Sequence, residues 1–321
     1  MLKRYQKNPI LTRKDIPNLP PNLVDVSSVF NPGAIKFKDQ YILLLRVQNR
    51  GRETFTLKAT SQDGIHFKVA KNPVIFEGLE KIKEKIYHVY DPRLTMIEGV
   101  CYIMFAMDMD DGCKLGLAIT KDFETFEFMD IVGRGDVRNG VLFPEKIGGK
   151  YIRLERPNRQ ALSGGIMTGT EIWLSSSDDL LHWKEEGPVM KGRFHYWDET
   201  IGSGPPPIKT KEGWLHIYHG VAHHFGSASV YQAGAVLLDL NDPQKVLART
   251  RQNILEPREL YELTGQVPNV VFPSGMICES YDAQGFALSE AEIKVYYGAA
   301  DTVAGLATSK VQELIDRCKT E

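Results

Sequence analysis

Short apolar runs, most of which end in a polar residue, recur five times along this chain. Successive runs start between 51 and 79 residues apart, and each has the length of a β-strand. Strand-bearing repeats of roughly this spacing are typical of β-propellers, in which every blade is one antiparallel sheet. The pattern predicts an all-β, five-bladed β-propeller whose polar positions meet in one central pocket. The runs are Tyr41–Arg46, Val100–Met107, Tyr151–Arg156, Trp214–His219 and Ile293–Tyr297.

A second repeat consists of polar turns that follow apolar runs. Ser61–Phe67, Thr120–Phe126 and Ser176–Trp183 each carry an Asp at the third position and an aromatic residue at the end, and Leu240–Pro243 is a looser copy. An Asp carboxylate just after a strand accepts hydrogen bonds from nearby backbone N–H groups and so favours a turn. We interpret these segments as hairpin turns within blades, with no catalytic role.

Helical patterns are confined to two segments. Lys81–Lys85 is a short charged turn, and the tail over 308–319 places Val311, Leu314 and Ile315 on one face, as expected for a helix packed on the outside of the propeller. The prolines in Pro17–Pro21 favour an extended lead-in over 1–25. We therefore expect one catalytic domain over 1–321 that ends in a short C-terminal helix.

Composition excludes several classes of protein. With 39 basic and 41 acidic residues the net charge is −2, so no overall field attracts nucleic acid or an anionic membrane. No stretch approaches the roughly 20 apolar residues that span a bilayer, and the N-terminus lacks a signal-peptide core. The expectation is a soluble, cytoplasmic protein, and nothing in the sequence indicates its oligomeric state.

The cysteines predict neither a metal site nor a disulfide framework. Their spacing matches no metal-binding motif and no pattern of paired cysteines. They are Cys101, Cys113, Cys278 and Cys318.

Polar residues next to apolar runs are the candidates for chemistry. A buried arginine is costly without an anionic partner, so several arginines at one pocket predict an anionic ligand such as phosphate or a carboxylate. These candidates are Asn31, Arg46, Asp91, Arg93, Arg138, Asn139, Arg156, His219 and Asp301.

Each candidate also has a purely structural interpretation. Asp91-Pro92-Arg93 is typical of a turn with a local ion pair. Arg156 could pair with the neighbouring Glu155, and His219 could be a hydrogen-bonded core histidine. The functional interpretation depends on the convergence of five blades rather than on any single residue.

Seven longer motifs resemble the β-mannoside phosphorylases of glycoside hydrolase family 130. They follow in order along nearly the whole chain, and that family is built on a five-bladed β-propeller, in agreement with the repeat count. The motifs are Val29–Asn31, Tyr90–Arg93, Arg138–Pro144, Ile201–Ile208, Gly213–Gly220, Val267–Pro273 and Tyr296–Thr302.

The resemblance implies phosphorolysis of short β-1,2- or β-1,4-mannosides with inversion, which gives α-mannose 1-phosphate. Inorganic phosphate is then the co-substrate and no cofactor is implied. A phosphorylase needs only one catalytic carboxyl group, because phosphate replaces the base and the water of an inverting hydrolase. Asp91 would be that general acid, and its proton would reach the leaving oxygen through the mannose 3-hydroxyl.

The resemblance also assigns binding roles. Phosphate would be held by Arg138, Arg156, His219 and Tyr231. The mannose to be transferred would be held by Asn31, Arg46, Asn139 and Asp301.

One departure from the family pattern leaves a second enzymatic interpretation open. Phosphorylases usually carry Lys or Arg just before the Ile201-Gly202 motif, whereas this chain has Thr200 beside Glu199. An inverting β-mannosidase would use Glu199 or another nearby acid to activate water, about 6.5–9.5 Å from Asp91. A third interpretation is a non-catalytic carbohydrate-binding propeller. The linkage and the acceptor sugar depend on loops 159–170 and 222–229, which carry no readable signal.

Overall fold

The computed structural model describes residues 1–21, 23–133, 135–158, 171–224, 226 and 228–320. Within these residues the chain forms five sheets that are arranged as the blades of a β-propeller, which confirms the predicted fold class. The first strand of each blade contacts the neighbouring blades and forms an inner ring.

The strands of each blade follow one another from the inner ring outward. Blade 1 consists of Val26–Phe37, Gln40–Asn49, Thr54–Ser61 and Lys68–Pro73. Blade 2 consists of Ile86–Ile97, Val100–Met109, Gly112–Thr120, Phe126–Ile131 and Phe76–Glu77. Blade 3 consists of Val137–Leu142, Tyr151–Pro157, Glu171–Ser177 and Lys184–Lys191.

Blade 4 has an inner strand in two parts, and blade 5 joins distant parts of the chain. Blade 4 consists of Thr200–Ser203 with Ile208–Thr210, then Gly213–Ala222, Val230–Leu238 and Val246–Arg249. Blade 5 consists of Val271–Cys278, Glu292–Ala299, Val303–Lys310 and the outer strand Lys3–Arg4.

The five apolar runs of the sequence repeat lie in the second strand of each blade, one strand out from the axis. Such a strand is covered by sheet neighbours on both sides and by adjacent blades on both faces, which is why it is the most continuously apolar. In Gly213–Ala222, for example, every residue but the last is buried. The polar residues Arg46 and His219 lie within their strands, whereas Arg156 is the next-to-last residue of Tyr151–Pro157.

The inner strands of blades 1, 2 and 3 share a bulge. Asn31, Asp91 and Asn139 have φ values of 46°, 56° and 56°, and each lies in the two-residue stretch across which the pairing register shifts. Asn and Asp tolerate this left-handed backbone better than most residues, and a bulge re-aims the side chain out of the alternating pattern. The same local geometry thus recurs at equivalent points around the axis.

The predicted turns recur in blades 1, 2 and 3. Ser61, Thr120 and Ser177 each accept backbone N–H groups within the turn, together with the Asp two residues later. The turn in blade 3 thus begins at Ser177, one residue after Ser176, where the sequence repeat begins. The capping pattern supports the interpretation of these segments as blade hairpins.

Helices are few and differ slightly from expectation. The C-terminal helix spans Val311–Lys319, since the preceding strand continues to Lys310, and its buried face packs against blades 4 and 5. The charged turn expected at Lys81–Lys85 is a 3-10 turn at Leu79–Lys81. The sequence pattern does not predict the 3-10 turn at Arg13–Asp15 or the four-residue helix at Leu260–Leu263.

Blade 5 is closed by a strand from the other end of the chain. Lys3 and Arg4 pair antiparallel with Thr308 and Ala307. Arg4 donates hydrogen bonds of 2.8 Å from Nε and Nη2 to the fully buried carboxylate of Glu262. Tyr297 donates a further bond to that carboxylate. A buried charge is stable only when it is paired and hydrogen-bonded, and here both conditions are met.

No helix within the described part of the chain is long and apolar enough to cross a membrane. All four cysteines are buried, and Cys101, Cys113 and Cys278 are free thiols.

Candidate active site

A polar cavity of about 320 Å³ opens at the centre of the propeller. Its volume lies within the range of about 300–1,000 Å³ that is usual for small-molecule sites. The cavity is lined by all nine residues to which the resemblance assigned a role in the phosphorylase reaction: Asn31, Arg46, Asp91, Arg138, Asn139, Arg156, His219, Tyr231 and Asp301. Glu199, the alternative base, is not among the lining residues.

Asp91 is held through one of its two carboxyl oxygens. Asn31 Nδ2 and Arg46 Nη1 each donate a hydrogen bond of 3.0 Å to Oδ1. The guanidinium of Arg46 lies between the rings of Phe30 and Tyr90, 4.6 and 4.5 Å from their centroids. Among the described residues, Oδ2 has no hydrogen-bond donor. The carboxyl group is thus fixed in orientation while one oxygen stays available to a ligand.

Arg138 and Arg156 lie opposite each other on paired strands of blade 3. Neither forms an ion pair with a carboxylate of the described residues, and Nε of each is buried without a partner. Among the residues that the structure describes, the one hydrogen bond that Arg156 donates goes to Oδ1 of Asn158, at 3.2 Å. Burial, and then the neighbouring guanidinium of Arg138, lower the pKa of Arg156 to about 10. Two adjacent cations that have no acidic partner among the described residues have the chemistry to bind a multiply charged anion.

The expected structural alternatives for two residues are wrong. Glu155 pairs with Arg153, whose Nη2 lies 2.6 Å from Oε2, and not with Arg156. Asp91 pairs with Arg46 rather than with Arg93. Both acids therefore have partners that are not apparent from neighbouring positions in the sequence.

His219 is fully buried and packs against two aromatic rings. Its ring centroid lies 4.6 Å from that of Phe272 and 6.1 Å from that of Tyr231. Burial, followed by the charges of Arg156 and Arg93, holds the pKa of His219 well below its usual value. The ring has a backbone hydrogen bond with Ser203, while Nδ1 has no hydrogen-bond partner among the described residues. A neutral imidazole has one donor and one acceptor nitrogen, so the protein uses only part of the hydrogen-bonding capacity of His219.

Glycine is required where the backbone passes His219. A Cβ on Gly202 would lie 2.4 Å from Cε1 of His219 and 2.8 Å from Oδ1 of Asn139. The Ile201-Gly202 motif therefore has a steric function, because it lets the inner strand of blade 4 approach both side chains.

Asp301 provides a second carboxyl group at the cavity. Burial raises the pKa of Asp301 to about 6, with a further increase from the nearby Asp91 and a decrease from Arg46. The amide oxygens of Asn31 and Asn139 are buried and accept no hydrogen bond from the described residues. These acceptors suit the hydroxyl groups of a sugar.

The segment that departs from the family pattern lies outside the cavity. Oγ1 of Thr200 lies 2.7 Å from Nε2 of His223, and neither residue lines the cavity. The preceding Asp198 is fully buried and bonded to Arg193, Arg249 and Tyr218. Glu199, which follows Asp198, does not line the cavity that contains Asp91. The loop Arg159–Thr170 lies outside the described residues, as do Phe225 and Ser227 of the second loop.

Arg93 also lines the cavity, although the resemblance assigns it no role. A sequence signal for the inner strands exists in the segments Val29–Gly33, Val89–Arg93 and Val137–Val141. Each has an Asn or Asp at the third position and then Pro or Gly. Aligning these segments would have identified the shared bulge and the side chains next to it.

Buried histidines give the protein a predicted pH-dependent stability. Burial lowers the pKa of His216 to about 3 and that of His219 well below 6.5. Below about pH 6.5 the unfolded chain binds protons that the folded chain does not. Each histidine should then lower the free energy of unfolding by up to about 1.4 kcal/mol per pH unit. The pKa of Asp301 is raised, so its protonation below about pH 6 stabilises the folded protein and offsets the destabilising effect of one of the two histidines.

Urea unfolding between pH 7 and pH 5 measures this effect. In His216→Gln the loss of stability per pH unit should be smaller by one histidine's contribution. An unchanged slope in that variant would contradict the assignment of His216 as a buried neutral group.

Known proteins resemble this chain over nearly its whole length. A family model described as beta-1,4-mannooligosaccharide phosphorylase matches residues 1–320. The chain is 33% identical over 324 residues to a beta-1,4-mannooligosaccharide phosphorylase of Ruminococcus albus, covering 99% of this chain and 90% of that protein. It is 35% identical over 324 residues to a 1,2-beta-oligomannan phosphorylase of Thermoanaerobacter sp., covering 98% of each.

A solved structure is also similar along the full length. The beta-1,2-mannobiose phosphorylase from Listeria innocua, in complex with beta-1,2-mannobiose, superposes with a TM-score of 0.85 at 28% identity. The match covers 100% of this chain and 99% of that one. By the family match over residues 1–320 and by these relatives, the chain belongs to glycoside hydrolase family 130.

Proposed function

We propose that this protein is an inverting β-mannoside phosphorylase. It cleaves short β-1,2- or β-1,4-mannosides with inorganic phosphate and releases α-mannose 1-phosphate. The observation that carries the proposal is the pair Arg138 and Arg156, which share one cavity with Asp91 and have no carboxylate partner among the described residues. The names of these relatives, all mannoside phosphorylases, support the same reaction.

The roles of the residues follow from their chemistry. Arg138 and Arg156 bind phosphate through charge-assisted hydrogen bonds, with His219 and Tyr231 as further ligands. Asn31, Arg46, Asn139 and Asp301 hold the mannose ring. Asp91 is the general acid, because it is the carboxyl group with one oxygen fixed by Asn31 and Arg46 and the other free of donors from the described residues.

The reaction is a single displacement. A phosphate oxygen forms a bond to the anomeric carbon on the face opposite the glycosidic oxygen, and the carbon–oxygen bond to the leaving sugar breaks. The proton of Asp91 passes through the mannose 3-hydroxyl to the leaving oxygen. One displacement inverts the configuration, so a β-linkage gives an α-phosphate.

The environment of the enzyme is part of the proposal. The buried free thiols of Cys101, Cys113 and Cys278 fit a reducing compartment, where disulfides rarely form, and we therefore place the enzyme in the cytoplasm. Site residues come from every blade, which supports one catalytic domain over 1–321.

Incubation with β-1,2- and β-1,4-mannobiose, with and without phosphate, tests the reaction. The expected product is α-mannose 1-phosphate, formed only when phosphate is present. Free mannose at the same rate in both samples would instead identify an inverting β-mannosidase, which needs a second carboxylate to activate water. Sugar binding without turnover in either sample would identify a non-catalytic propeller.

A further inference from the structure

Arg93 crosses the centre of the propeller. It follows the bulge at Asp91 in blade 2, and its Nε donates a hydrogen bond of 2.9 Å to the carbonyl oxygen of Gly204 in blade 4. Its guanidinium carbon lies 5.4 Å from the ring centroid of Phe272 in blade 5. The side chain is 1% exposed and lines the central cavity. A side chain from one blade thus reaches two others at the point where a ligand would lie.

Most of the hydrogen-bonding capacity of Arg93 is unused by the protein. Nη1 and Nη2 are buried and have no hydrogen-bond partner among the described residues, and no described carboxylate forms an ion pair with the side chain. Burial lowers the pKa of Arg93 to about 10, so the group stays charged at neutral pH. A buried charge with two unsatisfied donor groups is costly unless a ligand satisfies them.

Arg153 provides an internal comparison. It is equally buried, but its Nη2 lies 2.6 Å from Glu155 Oε2 and its Nη1 donates to the carbonyl oxygen of Val132 at 3.0 Å. Its guanidinium also lies 4.1 Å from the ring centroid of Trp183. Away from the cavity, this fold therefore pairs a buried guanidinium with an acid. Arg93 lacks such a partner within the described chain and faces the cavity instead.

The position of Arg93 relative to His219 indicates which ligand it serves. Both side chains lie against the ring of Phe272, the His219 ring centroid at 4.6 Å and the Arg93 guanidinium carbon at 5.4 Å from its centroid, and both line the same cavity as Arg156. Thr200, where a basic residue is usual, is bonded to His223 outside the cavity. The missing positive charge has a counterpart in the guanidinium of Arg93, which enters the same cavity from blade 2.

We propose that Arg93 is a third arginine of the phosphate site and donates from Nη1 or Nη2 to an oxygen of the phosphate bound by Arg138, Arg156 and His219. This inference rests on the proposed phosphorylase function and extends it to a residue outside the set transferred by family resemblance. Three guanidinium groups from two blades would then surround one tetrahedral anion.

Kinetics of Arg93→Lys and Arg93→Gln test this inference, with Arg153→Lys as the matched control. Loss of a charged hydrogen bond of about 1.5–3 kcal/mol should raise the KM for phosphate about 10- to 100-fold in Arg93→Gln. Arg93→Lys should give a smaller increase, because an ammonium keeps the charge but lacks the fork of donors. The KM for mannobiose should change less than about threefold, and Arg153→Lys should leave both constants unchanged.

A second measurement uses the unmodified protein, so the test does not depend on the folding of a variant. A crystal structure with bound phosphate should show Nη1 or Nη2 of Arg93 within about 3.2 Å of a phosphate oxygen. Phosphate seated out of reach of Arg93 would overturn the inference. So would an unchanged KM for phosphate in the Arg93 variants, or an increase in the KM for mannobiose alone.

Failure of this inference and failure of the proposed function are distinguishable. If the unmodified enzyme forms no α-mannose 1-phosphate, the proposed function is wrong whatever Arg93 does. The increase in melting temperature on addition of phosphate then decides the role of Arg93 by itself. That increase should be smaller in Arg93→Gln than in the unmodified protein, and an equal increase in both would reject the role.

Discussion

Asp91→Asn should lower the turnover of mannobiose by about 10²- to 10⁴-fold, the usual contribution of a general acid. The amide is too weak an acid to transfer a proton to the leaving oxygen, but its oxygen can still accept the hydrogen bonds from Asn31 and Arg46. The backbone should not change, because Asn31 and Asn139 adopt the same left-handed conformation at equivalent bulges. Phosphate-dependent release of sugar, measured beside thermal unfolding, separates the loss of chemistry from a loss of folding.

Asp122→Asn is a suitable control for that experiment. Asp122 is an exposed acid that accepts backbone N–H groups in a blade turn, so its replacement should leave turnover unchanged. Turnover of Asp91→Asn within tenfold of the unmodified enzyme would remove Asp91 from the role of general acid.

Arg156→Ala should raise the KM for phosphate about 10- to 100-fold, with a much smaller effect on the KM for mannobiose. The expected size corresponds to the loss of charge-assisted hydrogen bonds worth about 1.5–3 kcal/mol. Removal of one of two adjacent cations also relieves their repulsion, so the charge on Arg138 should be easier to accommodate when phosphate is absent. Initial rates at varied phosphate and fixed sugar, and the reverse, measure the two constants.

Arg50→Ala provides the comparison for a surface charge. Arg50 forms an exposed ion pair with Asp25, and exposed pairs contribute little to stability, so neither constant should change. If the dependence on phosphate is the same in Arg156→Ala as in the unmodified enzyme, Arg156 does not belong to the anion site.

The number of blades could be predicted from the sequence because the second strand of each blade is shielded on all sides. Runs such as Ile42–Leu45 and Leu215–Ile217 are therefore continuously buried and recur once in each blade. The inner strands do not stand out as continuous apolar runs. They carry Pro, Gly and polar residues at bulges, as in Asn31-Pro32-Gly33, and these interrupt the pattern of a regular strand.

The convergence of the site residues could also be predicted, since the polar residues next to the repeated apolar runs occupy equivalent positions in successive blades. The partners of these residues could not. The pairing of Asp91 with Arg46, of Glu155 with Arg153 and of Asp198 with Arg249 depends on tertiary contacts that sequence neighbours do not indicate. That Glu199 does not line the cavity could not be predicted for the same reason, because the neighbouring Asp198 is buried through pairs with the distant Arg249 and Tyr218.

The pairing of Lys3 and Arg4 with blade 5 has a consequence for synthesis on the ribosome. The first four blades contain only contiguous stretches of chain and can assemble as they emerge. The last blade cannot be completed until Val303–Lys310 has been made and meets the strand Lys3–Arg4, which is translated before the other strands of the propeller. Until then the nascent chain is an open arc, in which the strand Lys3–Arg4 has no pairing strand and the carboxylate of Glu262 has no ion pair with Arg4. Chaperones that recognise unpaired strand edges should therefore bind this arc and release it on closure.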